Sequence, residues 1–535
     1  MADDPLTTPA AIAFRGPRIR TMDPAHPAAE VVVVRDGRIA AVGGRGLELD
    51  HPDAEVRELG DRLLVPGFID AHCHLSIAAL QPRWGDLSAA RTVDDLHRLV
   101  AAQAAAEPDA EWIRLDGWNE VATGLEFDRH DLDAVTGDRP TLVVHATYHQ
   151  GIVNSAGLDH LGVGRHTGDA WDHTVDEEMT VRDEHGVATG LLIERAFGRA
   201  HSISAAAYQD PDRWAEHIAA RCRHLLSLGI TAVHDAACTP PVEAVYRRMR
   251  AARELPLSVL MMPAADPFLT HDFGDRLDGA PTGEGDEWLR VGALKFFADG
   301  GVFPAFDVLF GGEPVTMGYR QPDLVARLPE AVRRGFRVGV HAIGNVGVAD
   351  ALAAFRDGAR LRPDDDHRFR VEHAGMAGPA LASEIAALGC VAVVQPGFVD
   401  HVGEDAADFQ PDDVAWMPFA FLHEAGVPLA GSSDDPCGPV DPMVASRFGI
   451  TRCTHTGRAF GPDQALPLEV WLAAYTSGSA FAGGQEAERG SLSPGKRADL
   501  VVLDDRPAAG SAGGPTDNPT VAETWVAGRC AHRRA

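Results

Sequence analysis

Apolar residues in this chain come in short runs, separated by polar loops and by longer stretches with helical spacing. Eight runs read as strands: 64–72 (LVPGFIDAH), 230–235 (ITAVHD), 257–263 (LSVLMMP), 292–298 (GALKFFA), 337–342 (RVGVHA), 369–374 (FRVEHA), 390–395 (CVAVVQ) and 427–433 (VPLAGSS). Between most of them lie Ala- and Leu-rich helical patterns, among them DLVARLPEAVRRG, VGVADALAAFRDGA and ALASEIAALG. Strands alternating with helices predict a parallel sheet with right-handed crossovers. Eight such units predict an α/β fold of the (β/α)8 TIM-barrel type. The alternative is an open doubly wound sheet, but no GxGxxG follows a strand here.

One interval breaks the rhythm. Roughly 150 residues separate the first and second strands, far more than a helical crossover needs. An inserted subdomain over the barrel mouth is expected at about 76–225, with elements at WIRLDGW, RPTLVVHATYH and GVATGLLIERA. The two chain ends share another character. Both are rich in β-formers, with turn pairs at Asp36-Gly37 and Ala527-Gly528. The expected division is 1–62 and 488–535 as two parts of one small β-sandwich, around a barrel at 63–487. The Gly/Ala/Pro-rich stretch 506–519 reads as a surface loop.

Composition narrows the setting. A chain of 535 residues exceeds one compact core, and 45% hydrophobic with 24% charged residues is ordinary for a soluble protein. A net charge of −30 disfavours nucleic acid and anionic membranes as partners. The seven cysteines are scattered and form no CxxC pair, which argues against a disulfide framework. The start MADDPLTTPA lacks a signal-peptide pattern, and no apolar run reaches membrane-spanning length. A cytoplasmic protein without a membrane span is expected.

Barrel enzymes place their chemistry at the C-terminal ends of the strands. There the first run carries His72 and His74, the fourth Lys295, the fifth His341 and the sixth His373; Asp434 follows the eighth. Side chains two apart on a strand share a face, so Asp70, His72 and His74 point one way. Paired imidazoles begin a metal site. A lone histidine is usually a packed one, whereas four with a lysine and an aspartate on one rim form a constellation. Cys73 points to the other face and packs. Asp70 either orients a ligating histidine or is a turn acid. His234-Asp235 ends the second run and reads as pocket wall or support for the ligands. His145, His160, His166 and His367 receive no role.

The motifs PGFIDAHCHL, DLDAVTGDRPTLVVHATYHQGIVNSAGL, GITAVHDAA, LKFFADG, VHAIGN, RVEHAG, AGSSDDP, AAYTSGSA and GSLSPGKRADLVVLD together resemble the metal-dependent amidohydrolase superfamily. Within it the chain is similar to the YtcJ-like branch that includes N-substituted formamide deformylase. The resemblance covers nearly the whole chain and implies a barrel flanked by a β-sandwich from both termini. It implies that His72 and His74 bind one metal, and that His341 and His373 bind a second or complete the first. Lys295 becomes a bridging ligand once carboxylated by carbon dioxide. Asp434 is ligand and general base, because the family pattern places the acid two before the proline rather than at Asp435. Carboxylation needs a neutral amine, which desolvation by Phe296 and Phe297 favours; the alternative is an unmodified lysine paired with Asp299 or Asp434. His149 matches a histidine of the branch's insertion and either hydrogen-bonds the substrate carbonyl or oxyanion or is structural. The chain departs from the branch at SSDDPC, where the usual pattern is GSD with a different following residue.

The implied reaction is hydrolysis of an amide-type C–N bond, in an N-substituted formamide or related N-acyl compound, by metal-activated water with Asp434 as base. Histidine and carboxylate ligands suit zinc best, as one or two ions, with iron, manganese and nickel open. GGVFPAFDVLFGG after Lys295 suits a lid. Trp84, Trp118, Phe303, Phe306, Phe398 and Trp416 are candidates for an apolar pocket, so the expected partner is a small molecule with an apolar N-substituent. A homodimer is a family-level expectation. The rival readings are a hydrolase of a cyclic amide, ester or lactone at the same site, and a catalytically inactive barrel that binds a small molecule.

Overall fold

The computed structural model describes residues 11–163, 179–265, 276–321, 324–406, 408–504 and 518–534. His166 and all but the last two residues of the stretch 506–519 lie outside them. Eight strands occupy the apolar runs: β1 (Phe68–Cys73), β2 (Ile230–Cys238), β3 (Ser258–Pro263), β4 (Leu294–Phe297), β5 (Val338–Ala342), β6 (Arg370–His373), β7 (Val391–Val394) and β8 (Leu429–Gly431). Every residue in them is buried. Strands covered on both faces need apolar residues at consecutive positions, which is why they read as runs rather than alternations. Their charged residues therefore stand out, and nearly all belong to the site described below.

Strands β1, β2 and β3 pair in parallel in that order, with Leu289–Val291 beyond β3. Strands β4 to β8 form a second parallel sheet, also in chain order. A parallel bridge from Ala264 to Lys295 joins the end of β3 to β4. On the other side, Asp434 N donates to His72 O at 2.8 Å, joining the loop after β8 to β1. Helices Leu324–Arg333, Asn345–Leu361 and Pro379–Ala387 alternate with β4, β5 and β6. Phe355 of the second stacks on Phe369 at the start of β6, ring centroids 4.5 Å apart.

The run 64–72 divides in two. Leu63–Pro66 pairs antiparallel with Leu500–Asp504, whereas β1 pairs with β2. Gly67 marks the break: a Cβ there would lie 2.3 Å from Thr231 Oγ1, so only glycine lets the chain pass from one sheet to the other. Strands from both ends of the chain meet in one sheet of order Arg529–Arg533, Thr520–Val526, Leu500–Asp504, Leu63–Pro66, Ala11–Arg20, Ala28–Arg35 and Arg38–Gly43, with Glu55–Glu58 also on Ala11–Arg20. Phe14 and Trp525, one from each end, pack edge to face at 5.1 Å. Both expected hairpin turns have two left-handed residues, φ 50° and 78° at Asp36-Gly37 and 47° and 74° at Ala527-Gly528. Such turns match the twist of the strands they join.

Between β1 and β2 stands a separate six-stranded sheet of order Thr180–Arg182, Ala188–Ile193, Gln150–Val153, Thr141–His145, Ile113–Trp118 and Gly85–Asp86. Its strands take in the three apolar runs noted for the insertion. Among the described residues no helix is long and apolar enough to cross a membrane.

Candidate metal centre

The ends of β1, β5 and β6 and the loop after β8 bring four imidazoles and a carboxylate to one place. The His72 and His373 rings lie 4.9 Å apart, His341 and His373 4.6 Å, and His72 and His74 5.5 Å. Asp434 Oδ1 lies 3.2 Å from His74 Nε2 and 3.4 Å from His72 Nε2. Donor atoms of His72, His74 and Asp434 all fall within 4.8 Å of one another. Lys295 Nζ, from β4, sits 3.2 Å from His72 Nε2. Among the described residues no carboxylate lies within ion-pair distance of Lys295, so its pairing with Asp299 or Asp434 does not form here. Asp299 instead accepts from Ala305 N, Ile343 N and Gly344 N.

What stands behind the imidazoles decides their chemistry. His72 Nδ1 meets Glu372 Oε2 at 2.7 Å, His74 Nδ1 meets Ala236 O at 3.0 Å, and His373 Nδ1 meets Gln395 Oε1 at 2.9 Å. A backbone carbonyl or carboxylate only accepts, so these partners hold the hydrogen on Nδ1 and leave a lone pair on Nε2. That is the tautomer a metal ion takes. The lone pairs of His72 and His74 then face the Asp434 carboxylate. Oδ1 has no hydrogen-bond partner among the described residues, and neither has His341 Nε2. Nitrogen and oxygen donors gathered about one buried carboxylate are satisfied by a proton shared between them or by a divalent cation in its place. The donor set therefore fits a metal ion on its own chemistry.

Burial and neighbours tune the charges. Burial lowers His72 to about 4 and His373 to about 3, and puts His341 well below its ordinary value, so these three imidazoles stay neutral, whereas at His74 the Asp434 contact outweighs burial and raises the value. Burial alone would raise Asp434, but the His74 contact and the nearby imidazoles outweigh it and hold the carboxyl ionised. Burial also brings Lys295 down to about 8. Backbone φ is +73° at His373 and +56° at Asp434, a conformation that costs energy in residues with a Cβ and persists where contacts over-determine it.

The cluster lines a cavity of about 180 Å³ through His74, Lys295, His341, His373 and Asp434, and His149 lines it too. The His149 ring lies 5.1 Å from that of His341. Ile77, Tyr148, Ala205, Ala236, Val242 and Phe297 supply much of the apolar wall. None of the aromatic candidates Trp84, Trp118, Phe303, Phe306, Phe398 and Trp416 lines it. Phe398 stacks on the His373 ring, centroids 6.1 Å apart.

Asp70 makes no hydrogen bond to an imidazole of the cluster. It accepts from Ser433 N at 3.0 Å, takes the Ser433 hydroxyl, and receives the His72 backbone N–H at 3.3 Å, which fixes the SSDDP loop against β1. Asp435 pairs with Arg221 at 2.5 Å, while its carbonyl receives His74 N. Cys73 is packed. His234 Nδ1 meets Arg370 Nη1 at 3.1 Å, and Asp235 takes the Tyr246 hydroxyl at 2.6 Å, so both act behind the cavity floor. A residue that the motifs passed over is Glu372, the carboxylate behind His72. Arg370 donates to both its oxygens, at 2.7 and 3.0 Å. The signal was present in FRVEHA: an arginine and a glutamate two apart in a wholly buried strand must share a face and a partner.

Fold and site together define a metal-dependent hydrolase of mixed α/β architecture. The crystal structure of an uncharacterized metal-dependent hydrolase from Pyrococcus horikoshii OT3 has the same fold, with a TM-score of 0.71 over 93% of this chain and 98% of that one, at 20% identity. The chain belongs to the amidohydrolase family, whose model matches residues 55–532. It is 32% identical to the N-substituted formamide deformylase of Arthrobacter pascens, over 96% of this chain and 97% of that protein. It is 28% identical to YtcJ of Bacillus subtilis (strain 168), which carries a provisional amidohydrolase name, over 93% and 94% of the two chains. The protein is an enzyme of this family, a hydrolase of C–N bonds other than peptide bonds.

Proposed function

We propose that the protein hydrolyses an N-substituted formamide or related N-acyl compound, with Asp434 as general base in a site closed by His72, His74, Lys295, His341 and His373. The observation that carries this reading is the approach of the His72 and His74 Nε2 atoms to the Asp434 carboxylate, with their Nδ1 atoms tied behind. A divalent cation, zinc by the ligand chemistry, supplies there the charge that polarises a carbonyl and makes water acidic near neutrality. The protein's own groups do the rest. Asp434, ionised and beside the imidazoles, takes a proton from the attacking water and returns it to the leaving nitrogen. The apolar wall receives the N-substituent and excludes water. His149 reaches the carbonyl oxygen from the opposite side. The two parallel sheets are read as arcs of one (β/α)8 barrel, flanked by the sandwich of both termini and capped by the insertion. A cytoplasmic homodimer, checked by light scattering, completes the reading.

The test is a panel of N-alkyl and N-benzyl formamides, anilides, lactams, esters and lactones, with metal-loaded protein and product detection by mass spectrometry. Formamides should turn over, chelation should abolish the activity, and zinc should restore it. Turnover confined to esters or lactones would sink the amide assignment and favour the rival hydrolase.

Lys295 gives a second expectation. With its pKa at about 8, roughly a tenth of the amine is neutral at pH 7, against about one part in three thousand at the ordinary value. Bicarbonate added during metal loading should raise the recovered activity, more at pH 8 than at pH 6.5, because only the neutral amine adds carbon dioxide. A bicarbonate response that is flat across this range would remove carboxylation from the mechanism.

A further inference from the structure

Beside His341 in the cavity lining, His149 and a second side chain next to the inserted sheet meet in a contact that the reaction above leaves unused. Strands Gln150–Val153 and Ala188–Ile193 pair antiparallel, with Gln150 opposite Ile193. The next residues outward, His149 and Glu194, therefore face each other, and Glu194 N donates to His149 O at 2.7 Å. Their side chains join as well, His149 Nδ1 to Glu194 Oε2 at 2.7 Å. Glu194 is fully buried. Its other oxygen accepts from Val302 N at 3.0 Å and Phe303 N at 3.3 Å, in the segment that follows the Lys295 strand. One carboxylate thus grips the histidine of the insertion and the loop beside the metal cluster.

The local backbone is shaped for this grip. Tyr148 and Glu194 both take left-handed φ, 58° and 48°, unfavourable for residues with a Cβ and sustained by the contacts around them. A Cβ at position 300 would lie 2.5 Å from Glu194 Oε1, and one at 301 would lie 2.4 Å from His149 Cδ2. The paired glycines of FADGG are what let the segment close on the pair. Gly301 N lies 3.2 Å from the same Nδ1, so one of the two contacts carries the hydrogen. A carboxylate only accepts, and it claims the ring N–H.

We propose that Glu194 is a positioning residue for the hydrolysis: it fixes the ring of His149 over the cavity and couples that orientation to closure of the segment 300–303. The role rests on the hydrolytic reading given above. Both halves of the device are needed because His149 comes from the insertion while the rim it must meet belongs to β4 and β5. Reacting groups displaced by about an ångström lose on the order of a hundredfold in rate.

Two variants separate the halves. Glu194→Gln keeps an oxygen for Val302 N and Phe303 N but offers His149 a donor in place of an acceptor. Glu194→Ala releases both. Glu194→Gln should lower kcat by about 10- to 100-fold with KM changed less than about threefold, and metal content should stay at the wild-type value. The double variant His149→Ala/Glu194→Gln should be no slower than His149→Ala alone, because Glu194 acts through that ring. Hydrogen exchange across 299–305, which needs no substrate, should speed up in Glu194→Ala and stay at the wild-type rate in Glu194→Gln. The role is overturned if Glu194→Gln turns over like the wild type, if the two losses multiply, or if exchange in Glu194→Ala is unchanged. An enzyme dependent on Asp434 but indifferent to Glu194→Gln loses only this role. A protein that hydrolyses none of the panel loses the hydrolytic reading and this role with it.

Discussion

Asp434→Asn should yield a folded protein whose turnover is lower by about 10²- to 10⁴-fold, the range of a lost general base. Asparagine is the informative replacement. Asp434 has φ +56°, and among residues with a Cβ, asparagine tolerates that region best. The backbone contacts that seat it, Asp434 N to His72 O and Cys437 N to Asp434 O, do not involve the side chain. The fold should therefore survive, and the melting temperature checks that it does. What is lost is the charge. An amide is not basic enough to take a proton from water, and its NH2 group donates to the imidazole Nε2 atoms that the carboxylate faces at 3.2 and 3.4 Å, in competition with a metal ion. Metal analysis separates the two duties. Dead protein with full metal marks Asp434 chiefly as base, and dead protein with depleted metal marks it chiefly as ligand. Turnover within tenfold of wild type would remove both.

Much of this arrangement was legible in the sequence, for a physical reason. The eight strands are buried on both faces, so they appear as uninterrupted apolar runs, and a histidine or lysine at the end of such a run is conspicuous. Three things resisted. The run 64–72 hides a change of sheet at Gly67, because the distant pairing partners Val502 of Leu64 and Ile230 of Phe68 leave no local trace. The cavity wall was misjudged because large aromatics attract attention, whereas a narrow pocket is built by residues that leave room, such as Ala205, Ala236 and Val242. Glu194 was passed over because its meaning depends on an antiparallel partner 45 residues earlier, and register is a property of the pair. The histidine cluster gathers strand ends, which periodicity can locate; the His149–Glu194 pair depends on loop contacts, which it cannot.

Glu372 is where stability and metal binding meet, and its removal should damage both. The side chain has no exposure and lies between Arg370, which donates to both oxygens, and His72 Nδ1. Burial alone would raise its pKa, but the Arg370 charge and the His72 contact win and hold it well below the carboxylate range. Because the folded value lies below the unfolded one of about 4.3, its contribution to stability is complete above that pH and fades only in acid. At pH 7, Glu372→Ala should therefore show the full effect. It leaves a buried guanidinium without its partner, which costs about 3–5 kcal/mol. It also frees His72 Nδ1, so the imidazole is no longer held in the tautomer that turns a lone pair to the metal, and metal affinity should fall by about 10- to 100-fold. Glu372→Gln keeps the volume and one acceptor, and should lose metal affinity with a smaller loss of stability. Urea unfolding and competitive chelator titration on the two variants check this order. If both variants unfold with the wild-type midpoint and hold metal as tightly, the buried carboxylate is not what orients His72.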